Sequence, residues 1–153
     1  MEVYRLAREK YSYELSGKGA AIKGARWNSI GTELIYTASN RSLAMAEVAV
    51  HLSMATLPDD YYMLTIYVPD SISAYQILPD HLPENWNQYP PIRQTQLYGD
   101  RFIASGEHGL LQVPSAVTRG DYNYLINPYH PKFTQIKIVE RERFPFDRRI
   151  FKG

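Results

Sequence analysis

The stretch Ser42-Leu-Ala-Met-Ala-Glu-Val-Ala-Val-His-Leu52 places one carboxylate, Glu47, in the middle of an otherwise apolar run. Read as a helix, it projects Leu43, Glu47, Val50 and Met54 from one side, because residues three, four and seven apart share a face. Val48 and Leu52 cover much of the opposite side, so the pattern predicts a helix with little surface facing water. A carboxylate in such surroundings costs several kcal/mol unless a cation or hydrogen-bond donors meet it, or its pKa rises. The residues alone leave two readings open: a structural ion pair with an arginine or lysine, or an acid kept for chemistry.

On either side of this helix the chain reads mainly as strands. Val3–Leu6 precedes a glycine-rich segment from Ser16 to Gly24, and Leu34–Thr37 follows a turn at Ser29-Ile-Gly31. Ser39 or Asn40 is placed to cap the Glu47 helix by accepting its unpaired amide hydrogens. Beyond Pro58, the aromatic and branched residues of Tyr62–Val68 favour a strand, and Ser73–Leu78 is a weaker one. The section from Pro79 to Pro91 holds four of the ten prolines and predicts an irregular connection. Ile92–Ala104 predicts a helix weakened by Gly99. Further strands are expected at Leu110–Val113, Tyr124–Ile126, Gln135–Glu140 and Phe144–Phe146. With no repeat or linker in its 153 residues, the chain is expected to form a single domain over 1–153. The fold class is α+β with a mixed, mainly antiparallel sheet.

Composition narrows the function. Seventeen basic against 16 acidic side chains leave a net charge of +1, which gives no general attraction to nucleic acid or to a membrane surface. The absence of cysteine excludes disulfides and a thiol nucleophile and fits a reducing compartment. The charged opening Met-Glu-Val-Tyr-Arg does not read as a secretory signal. No apolar run approaches the ~20 residues of a membrane span, so a cytoplasmic location is expected. Histidines at 51, 81, 108 and 130 have no metal-ligand spacing, and no metal is expected. Thirteen tyrosines are an excess suited to half-buried strands, interfaces and pockets.

Five segments in order carry a resemblance: Gly24-Ala-Arg-Trp-Asn28, Gly31 with Ile35-Tyr-Thr-Ala38, Leu43-Ala-Met-Ala-Glu-Val48, Val113-Pro-Ser-Ala-Val117 and Asn127-Pro-Tyr-His130. Together they resemble the RES-domain toxins, over nearly the whole chain from Tyr4-Arg5 to Phe146-Asp147-Arg148. The resemblance implies a fold similar to ADP-ribosyltransferases and an activity that consumes NAD as a substrate, with no further cofactor. It also implies an Xre-type antitoxin that blocks the pocket, and it allows a homodimer. Arg26, Tyr36, Glu47 and Ser115 are the catalytic candidates it implies, and Arg5, Arg26, Trp27, Tyr36 and Ser115 the candidates for holding NAD.

The residue chemistry suits that activity. Breaking the nicotinamide–ribose bond develops positive charge on the sugar, which a carboxylate such as Glu47 stabilises. Arginine's planar fork grips pyrophosphate oxygens, the task expected of Arg5 and Arg26. Tyr36 is a candidate to stack on or orient nicotinamide, and Ser115, after the rigid Pro114, to hydrogen-bond the substrate. Each has a plainer alternative: charge neutralisation for the arginines, packing for Tyr36 and Trp27, a local backbone hydrogen bond for Ser115. The glycine segment Gly17–Gly24 matches no phosphate-binding fingerprint and is expected to be a flexible loop. Asn127-Pro-Tyr-His-Pro131 is expected to form a rigid turn supporting the site. The basic tail, Arg141, Arg143, Arg148, Arg149 and Lys152, reads as a solvated edge. Water, phosphate or a protein side chain can each accept the ADP-ribose. An RNA-cleaving toxin and a non-catalytic binding module are the alternatives from other classes.

Overall fold

The computed structural model describes residues 1–151, so Lys152 lies outside the described residues. Seven strands form one sheet: β1 (Glu2–Arg8), β2 (Ile35–Ala38), β3 (Tyr61–Tyr67), β4 (Ala74–Gln76), β5 (Leu110–Pro114), β6 (Tyr122–Ile126) and β7 (Lys137–Arg143). Their order across the sheet is β4-β5-β6-β2-β1-β3-β7. Only β4 and β5 run parallel, so the expected mixed, mainly antiparallel α+β arrangement is present. Three α-helices accompany it: α1 (Lys18–Lys23), α2 (Arg41–Ala49) and α3 (Arg93–Ser105).

Side-chain alternation divides the core. Val3, Ile35, Leu64, Ile66, Leu110 and Ile126 pack on one side of the sheet. Leu34, Leu111, Val113 and Leu125 pack under α3 through Phe102, together with Trp27. A smaller cluster of Leu6, Ala38 and Met63 receives Leu43 and Ala44 of α2. Asn40 is the residue that caps α2, its side chain accepting from the Leu43 amide at 2.8 Å.

Three expectations change. The glycine segment is not a loop: Lys18–Lys23 is a helical turn, ended by Gly24 in the left-handed region at φ 72°. Phe144–Phe146 is not a strand; Phe144 and Phe146 pack edge to face, and Phe146 does the same against Tyr61. Gly99 is not a weakness of α3 but its condition for docking, since a Cβ there would stand 1.6 Å from the Trp27 carbonyl oxygen. The described residues contain no helix long and apolar enough to cross a membrane.

The sheet opens at its centre. β1 and β2 pair only at Tyr4↔Ala38, whereas β1 pairs with β3 along its whole length. Where the short ladder ends, the Arg5 Nη1 donates to the Tyr36 carbonyl oxygen at 2.7 Å, supplying the partner that a strand would otherwise provide. The site grows from this opening.

Candidate active site

A cleft of about 1490 Å³ lies over the gap between β1 and β2. Its walls include Tyr4 and Arg5 from β1, Tyr36 and Thr37 from β2, Glu47 and Val48 from α2, Arg26 beyond α1, and Asn123 from β6. The proline-rich connection closes one side through Asn87, Tyr89, Pro90 and Pro91.

Glu47 is met by neutral donors rather than by a cation. Its Oε1 accepts from the Ser115 hydroxyl at 2.7 Å and from the Asn123 Nδ2 at 2.7 Å. Among the described residues it has no ion-pair partner, although its charge acts on Arg26. Of the two readings left open, the structural ion pair is absent; two hydrogen bonds take its place, reaching 68 and 76 residues along the chain to the residue after β5 and to β6. Nor is α2 sealed from water. Leu43 and Ala44 are buried, Met45–Ala49 are half-buried and Val50 is 58% exposed, because this helix forms the rim of the cleft.

Ser115 is buried, with 3% exposure, and its hydroxyl is fully engaged. It gives its proton to Glu47 and accepts from the Val117 and Thr118 amides at 3.1 and 2.9 Å. The hydroxyl proton expected to reach a substrate is directed to the Glu47 carboxylate instead.

The arginines are held by backbone. Both hydrogens of the Arg26 Nη1 go to the Trp86 and Gln88 carbonyls, each at 2.9 Å, so this residue ties the proline-rich connection to the cleft. Burial pushes its pKa down, and the charges of Glu47 and Tyr36 oppose that. Among the described residues no hydrogen bond engages its Nε or Nη2, the guanidinium edge whose geometry matches a two-pronged oxyanion. Burial also lowers the pKa of Arg5, but an arginine starting so high stays cationic.

Tyr36 is among the residues lining the cleft, packs against the Trp27 cluster and has its hydroxyl tied to that segment. The hydroxyl donates to the Asn28 Oδ1 at 2.6 Å and accepts from the Trp27 amide at 3.1 Å. Burial drives its pKa well above the ordinary tyrosine value. Asn28 is the hub beneath it, its Nδ2 donating to the carbonyls of Ala20, Ser29 and Thr32. Trp27, expected beside the substrate, is 2% exposed and lies in the core. Its ring packs against Trp86 at 6.2 Å and edge-on to Tyr98 at 6.5 Å, seating the proline-rich connection from behind.

The Asn127–Pro131 turn exists, with the Tyr129 amide donating to the Asn127 Oδ1 at 2.8 Å. It follows the opposite end of β6 from Asn123, beside Gly109, and does not line the cleft. Two contributors escape a reading of the sequence. Asn123 sits between two tyrosines of a strand, and only the register that pairs it with Ala38 and Val113 brings it to Glu47. The His51–Tyr89 ring pair, with centroids 6.0 Å apart at the cleft mouth, joins the end of α2 to the proline-rich connection. Its only signal was the surplus of tyrosines.

The split, mainly antiparallel sheet carries an acid and two arginines around one large cleft, and comparison with known proteins gives the chain a family. The RES-domain family model matches residues 2–147, and this chain belongs to that family. A relative in Sphingobium sp. named "Prs ADP-ribosylating toxin" is 38% identical over 97% of this chain and 96% of its own length. A "Toxin Res" of Photorhabdus laumondii is 36% identical over 100% of this chain and 99% of its own. The toxin fold is also that of a solved structure, the M. tuberculosis MbcT-MbcA toxin-antitoxin complex. That likeness has a TM-score of 0.77 at 20% identity and covers 94% of this chain and 84% of the other.

Proposed function

We propose that this protein is the toxin of a toxin–antitoxin pair and that it splits NAD at the nicotinamide–ribose bond, arresting growth. The observation that carries the reading is Glu47, held at one oxygen by Ser115 and Asn123 in a cleft that also presents Arg5 and Arg26. Membership of the RES family and the toxin names of its relatives support it.

In this mechanism the arginines grip the pyrophosphate and the Tyr36 ring packs on the nicotinamide end. The C1′–N bond breaks heterolytically, its electron pair passing to nicotinamide. The free Oε2 of Glu47 faces the cation left on the ribose. Water or inorganic phosphate then adds to C1′ and gives up a proton. One carboxylate in such a role typically contributes about 10²–10⁴-fold in rate.

A protein side chain as acceptor is the second reading, favoured by the relative named an ADP-ribosylating toxin. An antitoxin covering the cleft is proposed from the solved toxin–antitoxin neighbour, and an Xre-type partner, a homodimer and a cytoplasmic location from the family resemblance. One experiment tests the reading: purified protein is incubated with NAD labelled in its ADP-ribose half, with Glu47→Gln alongside. Free nicotinamide without labelled protein supports NAD degradation. Labelled protein supports transfer. Intact NAD, or equal activity in Glu47→Gln, removes the proposal.

A further inference from the structure

The two donors on Glu47 are not equivalent. The Ser115 hydroxyl belongs to a local turn, fixed by the Val117 and Thr118 amides whether or not Glu47 is present. Asn123 has no such second reason. It is 9% exposed in the middle of the sheet; among the described residues its Nδ2 donates only to Glu47, and its buried Oδ1 has no partner. Among the described residues, the other buried side-chain atoms left unpaired are on Thr65, Asn127 and Arg141, none of which lines the cleft.

An unsatisfied buried carbonyl is a cost to folding, and a strand between Val113 and Ala38 offers an apolar side chain a ready place. Leucine has nearly the shape of asparagine and would remove that cost. The amide is therefore tolerated against stability, and the one thing it does is fix a carboxylate oxygen. Because Asn123 and Ser115 converge on the same Oε1, they fix that oxygen and with it the rotation of the carboxylate.

We infer that Asn123 is a positioning residue for Glu47, kept at the expense of folding stability to aim the acid at the substrate. The inference rests on the NAD-cleaving reading only in its choice of assay. In purified Asn123→Leu, kcat for nicotinamide release should fall about tenfold or more, as expected for losing one hydrogen bond to a charged group. KM should stay within about twofold, because Asn123 acts through Glu47 and not on bound NAD. The melting temperature should be unchanged or higher. Asn123→Ala provides the same kinetic test if leucine does not fit.

A raised KM with kcat retained would make Asn123 a substrate contact instead. A lower melting temperature with full kcat would make it a packing residue. Either result overturns the inference while leaving NAD cleavage standing. If wild-type protein itself releases no nicotinamide, the NAD reading fails, and growth arrest on expression becomes the readout. Asn123→Leu must then weaken arrest without lowering the melting temperature, and undiminished arrest overturns the inference.

Discussion

The two sides of the cleft hold their charges by opposite means. Glu47 is fixed by side chains, the hydroxyl of Ser115 and the amide of Asn123. Arg26 and Arg5 are fixed by main-chain carbonyls of Trp86, Gln88 and Tyr36. A carbonyl is present whatever the side chain, so the arginine side depends on the path of the backbone and tolerates changes at positions 86 and 88 that keep it. The acid side depends on residue identity at 115 and 123. Damage should therefore be conformational on the first side and chemical on the second.

Gly99→Ala is the strongest way to break the arginine side without touching a charge. The added methyl would meet the Trp27 carbonyl oxygen at 1.6 Å, a backbone atom and not the end of a flexible side chain. Trp27 seats Trp86, whose carbonyl holds Arg26, so the disturbance passes to the proline-rich connection. Overpacking of this severity is expected to cost about 3 kcal/mol or more, roughly 10 °C in melting temperature for a domain of this size. Thermal unfolding measures it. A melting temperature within about 2 °C of wild type would show that α3 can slide away from Trp27, and that the arginine side does not depend on its backbone path.

Arg26→Ala sharpens the comparison at the next level. It removes the clamp on Trp86 and Gln88 together with the free Nε–Nη2 edge. NAD affinity should fall about tenfold, near 1.4 kcal/mol, with the protein still folded. Calorimetric titration in the Glu47→Gln background reads binding without turnover. Unchanged affinity would confine Arg26 to holding the connection and leave Arg5 as the pyrophosphate ligand.

The same contrast explains what could be read from the sequence. The strands were legible because alternation and branched residues are local signals, and Glu47 because a lone carboxylate among alanines and valines has a cost that composition alone exposes. Its partners were not legible. Asn123 lies in Tyr122-Asn-Tyr124, where nothing local says that the amide points at α2; the register of β6 against β2 decides it. Gly99 read as a flaw because its reason, the Trp27 carbonyl, is distant in sequence. Trp27 read as a ligand contact because the family resemblance marks the segment and not the direction of the ring, which turns into the core. Ser16–Gly24 read as a loop from its glycines, while Ala20 and Ala21 between them favour the helical turn that forms.

The smallest effect expected lies where the arginine segment is anchored to α3. Asp100 accepts from the Ser29 amide at 2.9 Å and from the Ser29 hydroxyl at 2.5 Å. Burial pushes its pKa up, but the Ser29 bonds, Thr32 and the charge of Arg93 outweigh that, and the carboxyl ends below its ordinary value. A carboxyl depressed on folding adds stability that is present above its unfolded pKa, near 4, and is lost as pH falls through the lower folded value. Asp100→Asn keeps an acceptor for Ser29 but cannot ionise. Its melting temperature should lie slightly below wild type from about pH 5 to 7, and the two curves should converge below pH 4. A gap that persists unchanged to pH 2 would mean that shape, not charge, fastens this segment. The anchor of the arginine side would then be as indifferent to side-chain charge as the carbonyls that hold Arg26.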